Sequence, residues 1–169
     1  MTAALYTSSI PVFKQMLGGL HEVLAKGQAH AEARKIDPSA LLLARLYPDM
    51  FTLQRQVQVA CDFAKSVCAR LADVEVPKHE DTETSFSELQ ARIAKVQEFI
   101  AGLKPEQFEG AETREIVLQP GTPKEKRLSG QVYLLHYALP HFFFHTSMAY
   151  ALLRHSGVEV GKRDYIGTY

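Results

Sequence analysis

The sequence predicts an all-α protein built as a four-helix bundle. Apolar residues recur every three or four positions in four long segments, and proline or glycine breaks separate these segments. Between the third and fourth segments there is one pair of short extended runs around a turn, the pattern of a small β-hairpin. The length of 169 residues favours a single domain, 1–169, because one core can be buried in such a chain without disulfides or metals.

The first long helix is predicted from Ile10 to about Lys35. Ser9 can cap its start, and Pro11 falls in the first turn, where its missing N–H costs nothing. The apolar stripe of this helix consists of Ile10, Phe13, Leu17, Leu20 and Leu24. The pair 18–19 is Gly-Gly, which indicates a place where another segment approaches closely.

A short helix over 39–46 and a second long helix over 49–72 follow. Asp37 precedes Pro38 and can cap the short helix, and Asp49 is expected to cap the long one. The stripe of the second helix contains mostly small residues, which favour tight packing: Leu53, Val57, Ala60, Ala64, Val67 and Leu71.

The third helix has the most regular stripe in the chain. It follows a polar loop over 74–84 and begins at Ser85, which forms the pattern of a capping box with Glu88. Gly102 and Pro105 end it. Its apolar positions are Phe86, Leu89, Ile93, Val96, Ile100 and Leu103.

The hairpin and the fourth helix complete the bundle. The runs 116–118 and 126–128 flank a Pro-Gly turn. The fourth helix is predicted from Gly130 to Gly157, with a kink or restart at Pro140 because proline cannot donate a backbone hydrogen bond. It is aromatic and apolar nearly all round, so we expect it to be the most buried element. The tail 158–169 shows no periodicity.

Charge and composition argue against several classes of protein. The 19 basic residues balance the 19 acidic ones, which disfavours a nucleic-acid binder and electrostatic docking on a membrane. No apolar run is long enough for a transmembrane helix, and segment 1–9 lacks the features of a leader, so we expect a cytoplasmic protein. Cys61 and Cys68 are expected to be buried free thiols, because seven residues along a helix separate them too far for a disulfide.

The strongest candidate for chemistry is the pair His141 and His145. Histidines four residues apart on a helix share a face and can bind one divalent metal ion, but a protein site also needs a third ligand. Candidate donors on the first two helices are His21, His30, Gln56, Gln58 and Asp62. The alternative is that both histidines are hydrogen-bonded residues among aromatics at a kinked helix start, and spacing alone leaves both interpretations open.

Asp62 and Arg154 are two further candidates. Asp62 either pairs with Lys65 on a solvated face or serves as a pocket carboxylate, which could act with His145 as an acid–base pair without metal. Arg154 and His155 lie in the last turn of the fourth helix, where cations complement the helix dipole. The motifs of common nucleotide-binding and hydrolase mechanisms are missing from the sequence.

Several segments together resemble the family DUF1993, a domain of unknown function. They are 48–51 with 56–58, then 86–93, and then 139–145, which reads Leu-Pro-His-Phe-Phe-Phe-His and continues through 150–165. The resemblance spans nearly the whole chain, and the last segment is the most specific part of it.

The resemblance implies a branch of the DinB/YfiT-like superfamily, whose members are four-helix bundles, often dimeric, and of which many carry a three-histidine metal site. In that superfamily one ligand comes from helix two and two come from a His-x-x-x-His pattern on the last long helix. His141 and His145 match this pair, whereas segment 49–72 contains no histidine. Gln56, Gln58 or Asp62 would then complete the site.

The same resemblance implies a divalent cofactor (zinc, nickel or iron), a homodimer, and thiol-dependent transferase or hydrolase chemistry on a small-molecule substrate. Asp62, Tyr150 and Arg154 are expected to line the pocket. A different class of function stays open: a non-catalytic homodimeric bundle that binds an apolar small ligand or a partner.

Overall fold

Four long helices form the bundle that the sequence predicts. The computed structural model describes residues 4–169. Its first half contains α1 (Ala4–Thr7), α2 (Ile10–Arg34), α3 (Pro38–Leu42), α4 (Leu53–Leu71) and α5 (Phe86–Gly102). Its second half contains a 3₁₀ turn (Pro105–Phe108), β1 (Glu115–Leu118), β2 (Lys126–Ser129), α6 (Gly130–Val132), a π-helical segment (Tyr133–Ala138), α7 (Leu139–His155) and α8 (Lys162–Ile166).

The core lies between α2, α4, α5 and α7. Helix α2 packs against α5 and α7, and α4 packs against α5 and α7, so each long helix has two long neighbours. The predicted stripes face inward, since Phe13, Val57 and Ile93 are each fully buried. Burying apolar side chains of this size contributes about 1.5–3 kcal/mol for each one.

The predicted hairpin is present between the third and fourth long helices. Strands β1 and β2 are antiparallel, with Ile116 opposite Leu128 and Leu118 opposite Lys126. The fold prediction, an all-α bundle with one small hairpin, is therefore confirmed.

The glycine pair in α2 marks a close contact, as predicted. A Cβ atom on Gly19 would lie 2.6 Å from the carbonyl oxygen of Tyr165, whereas one on Gly18 would meet nothing nearer than 3.8 Å. The tail, expected to be irregular, contains α8, which packs across α2, and Lys26 holds it through Asp164 at 2.7 Å.

Two predicted boundaries before α4 are wrong. Helix α3 ends at Leu42 instead of near 46, and α4 begins at Leu53 instead of at 49. Asp49 lies in a turn that the N–H of Met50 closes on the carbonyl oxygen of Tyr47, because Pro48 cannot continue a helix. Thr52 is the actual cap, since its hydroxyl accepts from the N–H of Arg55.

The capping box at the start of α5 is confirmed. The hydroxyl of Ser85 accepts from the N–H of Glu88, and the carboxylate of Glu88 accepts from the N–H of Ser85. Each side chain thereby satisfies a donor that the first helical turn leaves free.

The fourth long helix restarts where the sequence predicts. The π-helical segment ends at Ala138 and α7 begins at Leu139, with Pro140 in its first turn. A wider π turn absorbs the break in the backbone ladder that proline causes. The expectation that this helix is the most buried element is wrong, because Phe144 is half exposed and α4 buries more of its residues.

Two expectations concern the chain as a whole. Within residues 4–169, none of the helices combines the length and apolar character that crossing a bilayer requires. The prediction about a leader rests on segment 1–9, whose first three residues lie outside the described part.

Candidate functional site

His141 and His145 lie one turn apart on α7 and face α4. His145 is buried, with 8% of its surface exposed, whereas His141 is exposed. The π-helical segment directly before α7 sets the rotation of this face, because its wider turn changes the angle at which α7 starts.

In each imidazole, Nδ1 is the ring nitrogen that is hydrogen-bonded to a carbonyl oxygen. Nδ1 of His145 lies 2.7 Å from Oε1 of Gln56, and Nδ1 of His141 lies 2.7 Å from the backbone oxygen of Tyr137. A carbonyl oxygen only accepts, so each Nδ1 carries the proton and donates. The amide of Gln56 is oriented by its own N–H, which donates to the carbonyl oxygen of Phe51.

The consequence is that each Nε2 keeps an unprotonated lone pair. A hydrogen bond from one ring nitrogen to a carbonyl is the arrangement that fixes the tautomer of histidines which bind metals through the other nitrogen. His141 and His145 meet this condition independently, one through a side-chain amide and the other through the backbone.

Aromatic rings surround the pair. Phe63 of α4 stacks on both imidazoles, with ring centroids 5.1 Å from His141 and 5.8 Å from His145. Phe51 stacks on His145 at 6.3 Å, and Tyr137 lies 4.4 Å from His141. These rings cover part of the imidazole faces and hold the two side chains in position, although His141 remains exposed to solvent.

The site favours a neutral His145. Burial is the main reason why the pKa of His145 is lowered to about 4, and its neighbours His141 and Arg55 act in the same direction. At neutral pH His145 is therefore an uncharged imidazole, the form that can serve as a ligand or a base.

The three predicted third ligands on α4 are engaged by other residues. Gln56 holds His145, Gln58 accepts from Arg55 and donates to Glu83, and Asp62 pairs with Arg92 and Lys65. In the described part of the chain, no three or more histidine, cysteine, aspartate or glutamate side chains group closely enough to hold a metal ion.

Asp62 belongs to a charge network beside the site. Its Oδ1 lies 2.8 Å from Nζ of Lys65 and 2.9 Å from Nη2 of Arg92, and both cations are buried. Arg92 also contacts Asp81 and Glu83 from the loop before α5, at 2.9 and 3.0 Å. The sequence interpretation of a solvated Asp62–Lys65 pair is therefore half right, since the pair exists but Lys65 is buried.

Tyr150 and Arg154 lie further along α7. The ring of Tyr150 packs edge-on against Tyr165 of α8 at 5.6 Å, and Arg154 is exposed in the last turn. Among the described residues, neither forms a hydrogen bond or ring contact with the histidine pair. Their assignment to a pocket stays a prediction.

Sequence reasoning missed the part played by Phe63 and Phe51. Phe63 is seven residues after Gln56, two helical turns on the same face, so the spacing predicts that both face the same neighbour. Phe51 lies in a loop whose course no periodicity predicts, and its contact with His145 depends on tertiary packing.

Comparison with known proteins adds the following. A family model described as "Domain of unknown function (DUF1993)" matches residues 5–166. The crystal structure of a DinB family member protein from Shewanella denitrificans is similar, with a TM-score of 0.92 and 42% sequence identity over 98% of this chain and 93% of that one. Among curated proteins, none matches.

Proposed function

The chain belongs to the DUF1993 family, a branch of the DinB-like helical bundles, and from this premise we propose that it binds a divalent transition-metal ion through Nε2 of His141 and Nε2 of His145. Imidazole nitrogens suit zinc, nickel and iron. The observation that supports the proposal most is the shared tautomer, because both Nδ1 atoms donate to carbonyl oxygens at 2.7 Å.

The two imidazoles would bind such an ion and leave some of its coordination positions open. Two imidazoles are fewer ligands than a structural metal centre uses, so the remaining positions are left for water or for a donor atom of a substrate. With open positions, a bound divalent ion supplies Lewis acidity to water or a thiol at neutral pH, which suits the transferase or hydrolase chemistry that the superfamily implies.

The protein residues around the pair have distinct tasks in this proposal. Gln56 orients His145 and keeps its Nε2 free, and the backbone oxygen of Tyr137 does the same for His141. Phe63 covers both rings and reduces their contact with water. Burial keeps His145 unprotonated, and the positive charge of Arg55, which lies over the ring of Phe51, acts in the same direction.

Metal content measured by plasma mass spectrometry on the untagged protein tests the proposal. After incubation with zinc, nickel or iron and removal of excess metal, we expect up to one ion per chain. His145→Ala and His141→Ala should lose it, and His155→Ala, an exposed histidine at the end of the same helix, should keep it. Metal-free protein after every incubation, or equal metal in all three variants, would reject the proposal.

A second candidate is a homodimer without catalytic activity that buries the apolar surface next to His145. The side chains of Phe51 and Phe144 are 49% and 50% exposed, and both rings lie against His145. The loop that leads to Phe51 also exposes Leu43, Leu46 and Tyr47. Exposed apolar side chains gathered on one side are typical of an interface or of an apolar ligand site.

Molar mass in solution, from light scattering or sedimentation, tests this candidate. A dimer that dissociates in Tyr47→Ser but not in Tyr169→Ser would support it, since Tyr169 is 98% exposed at the chain terminus. A monomer at all concentrations would exclude the dimer. Neither variant removes a residue of the histidine site, so this test is separate from the metal measurement.

A further inference from the structure

A cavity of about 220 Å³ lies next to the histidine pair, between α4, the π-helical segment and the hairpin. Asp62, Phe63, Ser66 and Arg70 of α4 form one side of it. Asp62, Ser66 and Arg70 follow one another at four-residue intervals, and Phe63 precedes Ser66 by three, so all four lie on one side of the helix. Tyr137 lines the cavity and also lies 4.4 Å from His141, which connects the two sites.

Arg70 is the charged group at one end of the cavity. Its Nη1 donates to the hydroxyl of the fully buried Tyr133 at 3.2 Å, and in the described structure no carboxylate is within ion-pair distance of its guanidinium. A guanidinium has five N–H donors in a fork that matches a carboxylate. Most of these donors are therefore available to a ligand.

The hairpin adds a second positive charge. Lys126 is opposite Leu118 in the β-ladder, and directly paired residues present their side chains on the same face. Leu118 lines the cavity, and Nζ of Lys126 lies 5.7 Å from the ring of Tyr137. Lys126 itself is exposed and does not line the cavity, but its Nζ brings a positive charge over Tyr137, which does.

The other side chains of the cavity favour an apolar group. The rings of Phe63 and Tyr137, whose centroids are 6.1 Å apart, supply apolar surface on the side of the cavity next to His141. Asp62 does not cancel the positive charge, because Lys65 and Arg92 already pair with its Oδ1.

We propose that this cavity binds a small organic carboxylate, held by Arg70 at its charged end and by Phe63 and Tyr137 along its apolar body, with Lys126 adding positive charge over Tyr137. The end of the molecule away from Arg70 would then approach His141. That this molecule is the substrate of the histidine site depends on the proposed metal function, whereas its binding in the cavity does not.

Calorimetric titration with 3-phenylpropionate and its neutral isostere 3-phenylpropionamide tests the proposal. The protein is first treated with a chelator, so that binding in the cavity is measured apart from any metal. We expect the acid to bind at least about tenfold more tightly than the amide, because a charge-assisted hydrogen bond is lost in the amide.

Variants locate the binding. Arg70→Gln should abolish the difference between acid and amide, and Lys126→Gln should reduce it. Arg34→Gln, which changes an exposed arginine in the last turn of α2, should leave it unchanged. If Arg70→Gln does not fold, the acid and amide comparison in the unaltered protein and in Lys126→Gln decides the question.

Three results would overturn the proposal: no saturable binding of the acid, equal binding of acid and amide, or a difference that persists in folded Arg70→Gln. If the acid binds to chelated protein that takes up no metal, the cavity proposal stands and the metal function fails. If metal binds but the acid does not, the metal function stands and the cavity proposal fails.

Discussion

Gln56 and His145 face each other across the interface of α4 and α7, with Oε1 of the amide 2.7 Å from Nδ1 of the imidazole. The two residues are 89 positions apart in the sequence, and both are buried. This hydrogen bond joins the second long helix to the fourth and fixes which nitrogen of His145 carries the proton.

Gln56→Ala should lower the free energy of unfolding by about 1–3 kcal/mol, because a buried N–H of His145 loses its acceptor. Urea denaturation measures the loss, and ¹⁵N spectra of the imidazole should show that the Nδ1–H tautomer is no longer dominant. Gln28→Ala, which removes only an exposed contact with Glu32, should change stability by less than about 0.5 kcal/mol. Equal effects of the two changes would contradict this assignment.

His145 should stay neutral until the solution is clearly acidic, because burial lowers its pKa to about 4. Below the ordinary value of 6.5, the unfolded chain takes up a proton that the folded chain refuses. The titration of His145 therefore makes the fold less stable as the pH falls from 6.5 toward 4. Above pH 6.5 it does not change the free energy of unfolding. Imidazole carbon shifts in chelator-treated protein measure the titration, and a midpoint near 6.5 would contradict the burial argument.

Arg92→Met should destabilise the protein by about 3–5 kcal/mol, because removing one partner of a buried ionic network leaves the others uncompensated. Arg92 holds Asp62, Asp81 and Glu83 together and is 3% exposed. Arg34→Met changes an exposed arginine and should cost little. Chemical denaturation of the two variants under the same conditions gives the comparison.

The network around Arg92 should also make the fold sensitive to acid. Burial alone would raise the pKa of Glu83, yet the hydrogen bonds led by the one from Arg92 hold that pKa below its ordinary 4.5. A carboxylate whose pKa is lower in the folded protein than in the unfolded chain stabilises the fold at pH values above the unfolded pKa. That stabilisation is lost as the pH falls through the folded pKa. We expect the loss below about pH 4.5.

Glu83→Gln tests this acid sensitivity. The variant should be less stable at neutral pH. Urea titrations between about pH 5.5 and 3.5, one unit on either side of the ordinary pKa, should show a shallower loss of stability than in the unaltered protein. Glu98→Gln, an exposed position on α5, is the control and should keep the original slope. An unchanged slope in Glu83→Gln would show that other carboxylates carry the effect.

Gly19→Ala and Gly18→Ala should have opposite effects. A Cβ on Gly19 would lie 2.6 Å from the Tyr165 oxygen and would push α8 off α2, whereas Gly18 has room for one. Inside a helix, alanine is favoured over glycine by up to about 1 kcal/mol. We therefore expect Gly18→Ala to raise the melting temperature and Gly19→Ala to lower it and expose the C-terminal segment to proteolysis. Similar effects of both changes would contradict the packing of α8.

Local sequence signals predicted most of the fold. The capping box of Ser85 and Glu88, the restart at Pro140 and the Pro-Gly turn of the hairpin each depend on residues a few positions apart. The start of α4 was misplaced because Asp49 and Thr52 are both good caps, and only the turn around Pro48 decides between them.

The site was less predictable because its contacts join distant segments. The spacing of His141 and His145 indicates that they share a face, but it cannot show that Gln56 is a hydrogen-bond partner of one of them instead of a ligand to metal. Likewise, the burial of Arg92 and Lys65 depends on how the loop before α5 closes over α4, which no periodicity in that loop encodes.

The π-helical segment Tyr133–Ala138 has a consequence for how this chain tolerates insertions and deletions. A π turn contains more residues than an α turn, so removing one residue from it would restore ordinary helical winding. Each residue of an α-helix advances the chain by about 100° around the axis. A single deletion within the π-helical segment would therefore be absorbed by the change in winding and would leave the direction of His141 and His145 nearly unchanged, whereas a deletion within an α-helical turn would rotate the residues after it by that angle.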